Sequence, residues 1–518
     1  MSGVNGLSIG IDLGTRNALA AFVDPRGVVE PVKNRWGGNV TPSVVGWDNG
    51  WVVGEDAVRL GLMGSGNVWW DLKRKVGSSF SVVLKGRTYS AQDLLVPLIA
   101  ALREDAEVCM KGFISSCVLA VPACFTLAQR EAMVQAANEA GLSDARVVAE
   151  PTAAALAFGG EGRFLVLDFG AGTVDLSVVE SEGGVWQVLE SVGSDNIGGY
   201  EFDVALAEWL KECLLLGSMP ESDPRWRLLV QEAEKIKISL SECWSCHWTP
   251  PPIGEWSPPE MTIYREDVER LMRFPIRRLI HTVRRLWDRY EPDHLLLVGG
   301  SSRIPLLQEI LEREVALPQR LSLSAGDAVV RGAALYTATG RERLLLDALS
   351  GDLLALWEGR SRRVIPSEAT LPVQADLELE TTQSGRSTLE LLQSQNELRD
   401  ASVSVASIDL DVTAGETLRL SCELSASGRL AAAVRRGSGE PMSIPLALGG
   451  GTRRDEEAEN SRRLRELKLS LVSLETMLSR HQQDRLHLLF RRAEGAPSDP
   501  EVLGLLEGLV RDLKRAVS

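Results

Sequence analysis

Ile9–Val23 reads IGIDLGTRNALAAFV, and Leu165–Val179 reads LVLDFGAGTVDLSVV. Each is an apolar run that predicts a strand, ending in an Asp, one further residue, a glycine-centred turn and a second strand. The two segments lie about one domain length apart. Glycine in such a turn permits positive φ and lets backbone approach a ligand closely. Successive backbone N–H groups there form an anion-binding concavity. Two of them, one per lobe, would clamp a polyphosphate from both sides, with Asp12 and Asp168 orienting waters on a metal ion. The bland alternative is two ordinary hairpins, and the matching Asp positions weigh against it.

The neighbouring segments fit α/β lobes. Cys117–Pro122 predicts a short buried strand, and Thr126 with Gln129 makes a capping-box pattern whose helix stops at Gly141. Pro151 opens the alanine-rich run EPTAAALAFGG, where proline suits the first helical turn. Leu295–Val298 runs into Gly299-Gly300-Ser301-Ser302-Arg303, then Pro305 and a helix to about Val315. Strand, glycine turn and helix in that order commonly hold a nucleotide.

Composition bounds the rest. The chain has 518 residues, 56 Lys+Arg against 71 Asp+Glu and a net charge of −15. That length suggests about two to four domains. Apolar residues at 44% and charged residues at 25% fit a globular protein and exclude wholesale disorder, collagen and a disulfide miniprotein. The acidic balance argues against nucleic-acid or membrane partners. Seven cysteines, an odd number, suggest a reducing compartment. Met1–Ser8 lacks a targeting pattern and no apolar run approaches a membrane span, so a cytoplasmic protein is expected.

The segments GIDLGTRN, LKRKVG, VPACFTLAQR, AEPTAAALAFG, LDFGAGTVDLS, IGGYEFD, EAEKIKISLS and LLLVGGSSRIP follow one another from residue 7 to about 340. Together they resemble the phosphate, connecting and adenosine motifs of the actin–hexokinase–chaperone ATPase superfamily. Within it they resemble the seventy-kilodalton heat-shock chaperones of the DnaK type. The resemblance implies an α/β actin-like two-lobed ATPase domain over residues 1–340 and an interdomain linker over 341–347. An all-β peptide-binding sandwich over 348–450 and a shortened α-helical lid over 451–518 would follow. The implied activity is an ATP-dependent chaperone, with ATP or ADP and Mg2+ as cofactors and K+ as a candidate further ion.

The resemblance also implies roles. Asp12 and Asp175 would hold the water shell of magnesium and flank the γ-phosphate, with Asp168 supporting the metal. Gly14, Thr15, Arg16, Asn17, Gly170, Ala171, Gly172 and Thr173 would line the phosphates, and Thr173 would also orient the attacking water. Lys73 would reach the γ-phosphate and Glu150 would position water or metal, although Lys73 alone reads as a solvated lysine in the basic trio Lys73-Arg74-Lys75. Glu234, Lys237 and Ser241 fall on one helix face. That face, with Gly198, Gly199, Gly299, Gly300, Ser301 and Arg303, would cradle the nucleotide.

Three positions depart from the family pattern. Arg16 replaces a small hydroxyl residue, Ala171 replaces the middle glycine of the second turn, and Gly326-Asp327 stands where an Asp-Glu pair is usual. Slow hydrolysis is therefore expected. A non-hydrolysing scaffold or exchange factor, or a small-molecule kinase of the same superfamily, stands as the alternative.

Beyond residue 340 the pattern changes. By resemblance, Leu344, Leu345, Leu346 and Asp347 in the segment RERLLLD are a linker that docks on the lobes, with Pro122 and Arg130 in the relay that senses nucleotide. Leu377, Leu379, Leu389 and Leu391 alternate with polar residues around the turn Ser384-Gly385-Arg386. Ser407–Val412, Leu418–Glu423 and Leu430–Arg435 read as further strands, with a turn at Ser427-Gly428. Leu354, Trp357, Leu379, Leu389 and Leu391 would line a peptide cleft; simple core leucines are the alternative. Leu464, Leu467, Leu471, Leu474 and Leu478 keep heptad spacing. Gly495–Pro500 breaks that run before a second amphipathic one, Val502–Val517.

Implied partners are extended client peptides, a J-domain cochaperone and a nucleotide exchange factor. Cys124-Phe125-Thr126-Leu127 matches a J-contact stretch that is polar and acidic in the family, which suggests a dedicated J partner. Cys243-Trp244-Ser245-Cys246-His247 has the form of a haem attachment site or redox pair, but two unpaired thiols are the expectation.

Overall fold

The computed structural model describes residues 7–62, 67–194, 197–217, 219, 223–250, 259–316, 327–338, 344–346, 351–367, 369, 371–394, 402–425, 430–437 and 439–445. Gly326, Asp347, the turn Ser427-Gly428, the heptad leucines and the whole segment 451–518 lie outside them.

The internal echo of the sequence becomes a repeated sheet. In lobe I the order is Asp144–Ala149, Ile114–Val121, Leu7–Leu13, Asn17–Val23 and Val29–Pro31. In lobe II it is His294–Val298, Gly162–Phe169, Val174–Glu182, Val185–Ser194 and Leu344–Leu346. Each first strand has a parallel neighbour on one side and its antiparallel hairpin partner on the other. The apolar runs are almost fully buried because helices cover both faces. Residues Leu344–Leu346 of the linker add a parallel edge strand against Val185–Gln187.

The helices start where their caps require. Ser90 and Asp93 form a capping box on Ala91–Met110, and Thr126 and Gln129 form one on Leu127–Glu139. Gly141 follows that second helix at φ +92°. Pro151 stands in the first turn of Glu150–Phe158.

A cluster between the lobe sheets joins Val118 and Val148 to Phe164 and Val166 through Ala153 and Ala333. Here Glu150–Phe158 and Ala328–Ala338 approach backbone to backbone: a Cβ on Gly332 would overlap the Ala153 carbonyl. Gly10 is equally confined, since its Cβ would lie 2.7 Å from Ala334 Cα.

Residues 351–445 form two four-stranded antiparallel sheets. One orders Arg360–Ile365, Leu353–Trp357, Gly385–Gln393 and Val403–Val412; the other orders Val373–Glu380, Thr417–Leu424, Leu430–Arg436 and Met442–Ser443. They share one core. Val373–Glu380 and Gly385–Gln393 are thus not hairpin partners, as the turn Ser384-Gly385-Arg386 suggested, but lie in opposite sheets. Alternation fixes which face of a strand is apolar and says nothing of its neighbour.

Trp357, Leu379, Leu389 and Leu391 are buried in the shared core, the alternative weighed against the cleft. Only Leu354 of that set is half-buried, on the opposite face of its strand from Leu353 and Ala355.

Candidate active site

The two glycine turns bring their strand ends together. Asp168 pairs in register with Asp175 across the lobe II hairpin. Asp12 holds the equivalent strand end in lobe I. Lys73 arrives from the short helix Leu72–Lys75 and Glu150 from the start of Glu150–Phe158; both are buried and form a direct ion pair.

The electrostatics are those of a site with excess negative charge. The Asp12 carboxyl is pushed up to about 7 by burial and by the charge of Glu150, with Lys73 offsetting part of this. Asp168 lies well above the usual carboxylate range because of burial, then the charges of Glu150, Asp175 and Asp12. Burial opposes the charge on Lys73, but Glu150, Asp12 and Asp168 more than offset it and hold the ammonium above its usual range. Asp175 is fully buried and its Oδ1 accepts from the Cys124 N–H at 2.8 Å.

Among the described residues no three His, Cys, Asp or Glu side chains converge closely enough to hold a metal unaided. That donor set still fits Mg2+, which keeps several waters and takes only one or two carboxylates beside substrate phosphates.

The turn glycines serve close approach and not left-handed backbone. Gly14, Gly170 and Gly172 all lie outside the positive-φ set, which corrects the expectation above. A Cβ on Gly14 would lie 2.5 Å from the Asn17 carbonyl, and one on Gly172 would overlap Thr15 Oγ1 of the other turn. Ala171 and Arg16 also avoid positive φ, so neither substitution strains its turn. Thr15 is buried, Thr173 is half-buried and Asn17 is exposed. The N-terminus of the helix Gly199–Cys213, capped by Gly198, lies on the second turn: Gly199 N donates to Gly170 O at 3.0 Å and Tyr200 N to Ala171 O at 2.7 Å.

Of the adenosine set, Lys237 is engaged within the protein. Its Nζ donates to Gly199 O at 2.8 Å and pairs with Asp203 Oδ1 at 2.6 Å. Burial pushes Asp203 up to about 6, with Lys237 pulling the other way. Ser241 Oγ donates to its own helix at Lys237 O, and Ser301 Oγ donates to Gly170 O at 2.8 Å. Glu234 is half-buried on the same helix, while Gly300 and Arg303 are exposed beside Gly299, whose φ is +80°.

Pro122 and Arg130, two of the residues expected to sense nucleotide, lie beside the start of Leu127–Glu139. Pro122 O accepts from Phe125 N at 3.0 Å, and Arg130 is buried beside it, 3.5 Å from the Ala123 carbonyl. Sequence reasoning missed the direct contact here. Leu127 joins the core of the β-sandwich, and its N–H donates to Gln393 Oε1 at 3.0 Å. The available signal was a large apolar residue, Leu127, placed directly after the N-cap Thr126. Cys124, Phe125, Thr126 and Leu127 are all buried.

Cys243 is exposed and Cys246 half-buried; both are free thiols, and His247 Nε2 lies 3.1 Å from Glu260.

Two facing glycine turns and a buried lysine paired with Glu150 beside Asp12 and Asp168 mark the candidate site. The family model described as Hsp70 protein matches residues 8–416, and the chain belongs to that family. The chaperone protein DnaK of Thermotoga neapolitana is 31% identical over 420 residues, 75% of this chain and 70% of that protein. That of Thermosipho melanesiensis is 30% identical over 419 residues, with the same coverage. That of Mycoplasma mobile is 33% identical over 362 residues, 67% of this chain and 59% of its own length. The chain is an ATP-dependent chaperone and an ATPase of this family. No helix among the described residues is long and apolar enough to cross a membrane.

Proposed function

We propose that the two turns grip the phosphates of MgATP and that cleavage of the terminal phosphate governs client binding by the β-sandwich. The buried Lys73–Glu150 pair, set among Asp12 and Asp168, is the observation that carries this reading. Phosphoryl transfer needs positioning and charge stabilisation more than covalent chemistry. Lys73 supplies a cation held in place, and Glu150 keeps it charged while offering an acceptor to a water. Asp12, Asp168 and Asp175 would retain Mg2+, whose role is to neutralise developing phosphate charge. Thr173 orients the attacking water. Gly198, Gly199, Glu234 and Gly299 to Arg303 border the nucleoside end.

The actin-like two-lobed domain spans residues 1–340, the linker 341–347, the peptide-binding sandwich 348–450 and the lid 451–518. Parallel pairing of Leu344–Leu346 with Val185–Gln187 and the Leu127–Gln393 contact support coupling between nucleotide and sandwich. An extended peptide fits such a sandwich by main-chain hydrogen bonds. A J-domain cochaperone and an exchange factor complete the cycle, in the cytoplasm.

The test is single-turnover hydrolysis of MgATP by the whole chain and by Lys73→Ala. The variant should bind ATP and lose about 10²–10³-fold in rate, as expected for one charge-stabilising donor. Equal rates would overturn the role of Lys73. Tight ATP binding without hydrolysis by the wild type would favour the scaffold reading and make Arg16 the residue to revert.

A further inference from the structure

The segment Trp70–Arg74 leaves lobe I and touches lobe II at three points. Arg74 Nη2 pairs with Glu201 Oε1 at 2.6 Å, and its guanidinium carbon sits 5.3 Å from the centre of the Tyr200 ring. The Arg16 guanidinium carbon lies 5.1 Å from the same ring. Trp70 receives Arg227 of the lobe II helix Pro224–Glu242 at 5.6 Å. Two arginines of lobe I therefore converge on one aromatic ring of lobe II. Asp71 steadies the first of them: its Oδ1 is 3.6 Å from Arg16 Nη1. Asp71 itself sits at φ 54°, a left-handed conformation that Asp tolerates better than most residues.

This arrangement borders the phosphate turns. Tyr200 N donates to Ala171 O at 2.7 Å, Arg16 follows Thr15, and a Cβ on Gly172 would lie 3.1 Å from Arg74 Cδ. Arg16 Nε is buried with no hydrogen-bond acceptor among the described residues. A guanidinium in this place, directly after Thr15 of the first glycine turn, suits an anionic oxygen as its partner. Burial alone would weaken the charge on Arg16, but Asp71, Glu234 and Asp203 hold it firmly cationic.

We propose that Arg16, Arg74 and Tyr200 form a clamp across the cleft that grips the phosphates of a nucleoside di- or triphosphate and sets the rate at which the nucleotide leaves. Arg16 is the phosphate contact. Tyr200 is a positioning residue: its ring holds both guanidinium groups at the mouth of the two turns and ties one lobe to the other. Release requires the ring to withdraw and the Arg74–Glu201 pair to break. The inference rests on the nucleotide site proposed above.

The experiment follows dissociation of a fluorescent ADP analogue from the full chain after a chase of unlabelled ADP. Tyr200→Ala removes two cation–ring contacts and should release ADP about tenfold faster. Tyr200→Phe keeps the ring and should restore the wild-type rate, which a merely structural role for the hydroxyl would not. Arg16→Ala should weaken ADP more than AMP, because the lost contact is to the outer phosphate. Arg74→Gln gives a second route to faster release if Tyr200→Ala does not fold. Wild-type release rates in both Tyr200→Ala and Arg74→Gln would overturn the clamp alone. Failure of the wild type to bind the probe at all would overturn the nucleotide site and the clamp with it.

Discussion

In the proposed site, cation binding depends on Asp12. Its carboxyl titrates at about 7 because burial and Glu150 both oppose ionisation. Below that pH the proton is bound and competes with a divalent cation; above it the carboxylate is free. Mg2+-dependent affinity for ATP should therefore fall as pH is lowered from about 8 to about 6, measured by titration calorimetry at constant Mg2+. Asp12→Asn should bind weakly with a shallower slope, Asp168 also lying above the usual carboxylate range, and a flat wild-type profile would contradict the assignment. Asp12, Asp168 and both turns were legible in the sequence because their spacing repeats; Lys73 and Glu150 came only from the family resemblance. The reason for the glycines was not. Positive φ is a local property, whereas the actual demand, Gly172 against Thr15, arises only when the two lobes meet. Arg16 and Ala171 read as departures expected to slow hydrolysis; the backbone accepts both, and Arg16 acquires partners from the other lobe.

At the scale of elements, the helices Glu150–Phe158 and Ala328–Ala338 form the joint between the lobe sheets. Gly332→Ala places a methyl on the Ala153 carbonyl, where backbone and not a flexible side chain must move. Overpacking of this kind should cost about 1–3 kcal/mol. Chemical denaturation should show the lowered midpoint, and a wild-type midpoint would mean the helices are not held in this contact. Caps made helix limits readable: Thr126 with Gln129, Pro151 and Gly141 stand where expected. Strand partners were not readable. Leu379 and Leu389 alternate as if in one hairpin, yet face each other from two sheets, because period-two patterning marks burial and carries no pairing information. The same ambiguity hid that the leucines expected in a cleft are core.

Among the described residues, Leu344–Leu346 pairs with Val185–Gln187 on the lobe II sheet, and Leu127 is seated in the sandwich core with its N–H on Gln393. The apolar linker triplet was visible in the sequence; the Leu127 contact, with a partner 266 residues away, was not. If nucleotide controls client binding through this junction, a charge at Leu127 must uncouple them, since an unpaired carboxylate is costly among apolar groups. The most direct measurement is the release of a fluorescent extended apolar peptide after addition of MgATP, for the wild type and for Leu127→Asp. The account predicts that ATP accelerates release from the wild type and leaves release from Leu127→Asp unchanged. Peptide release indifferent to ATP in the wild type would contradict it.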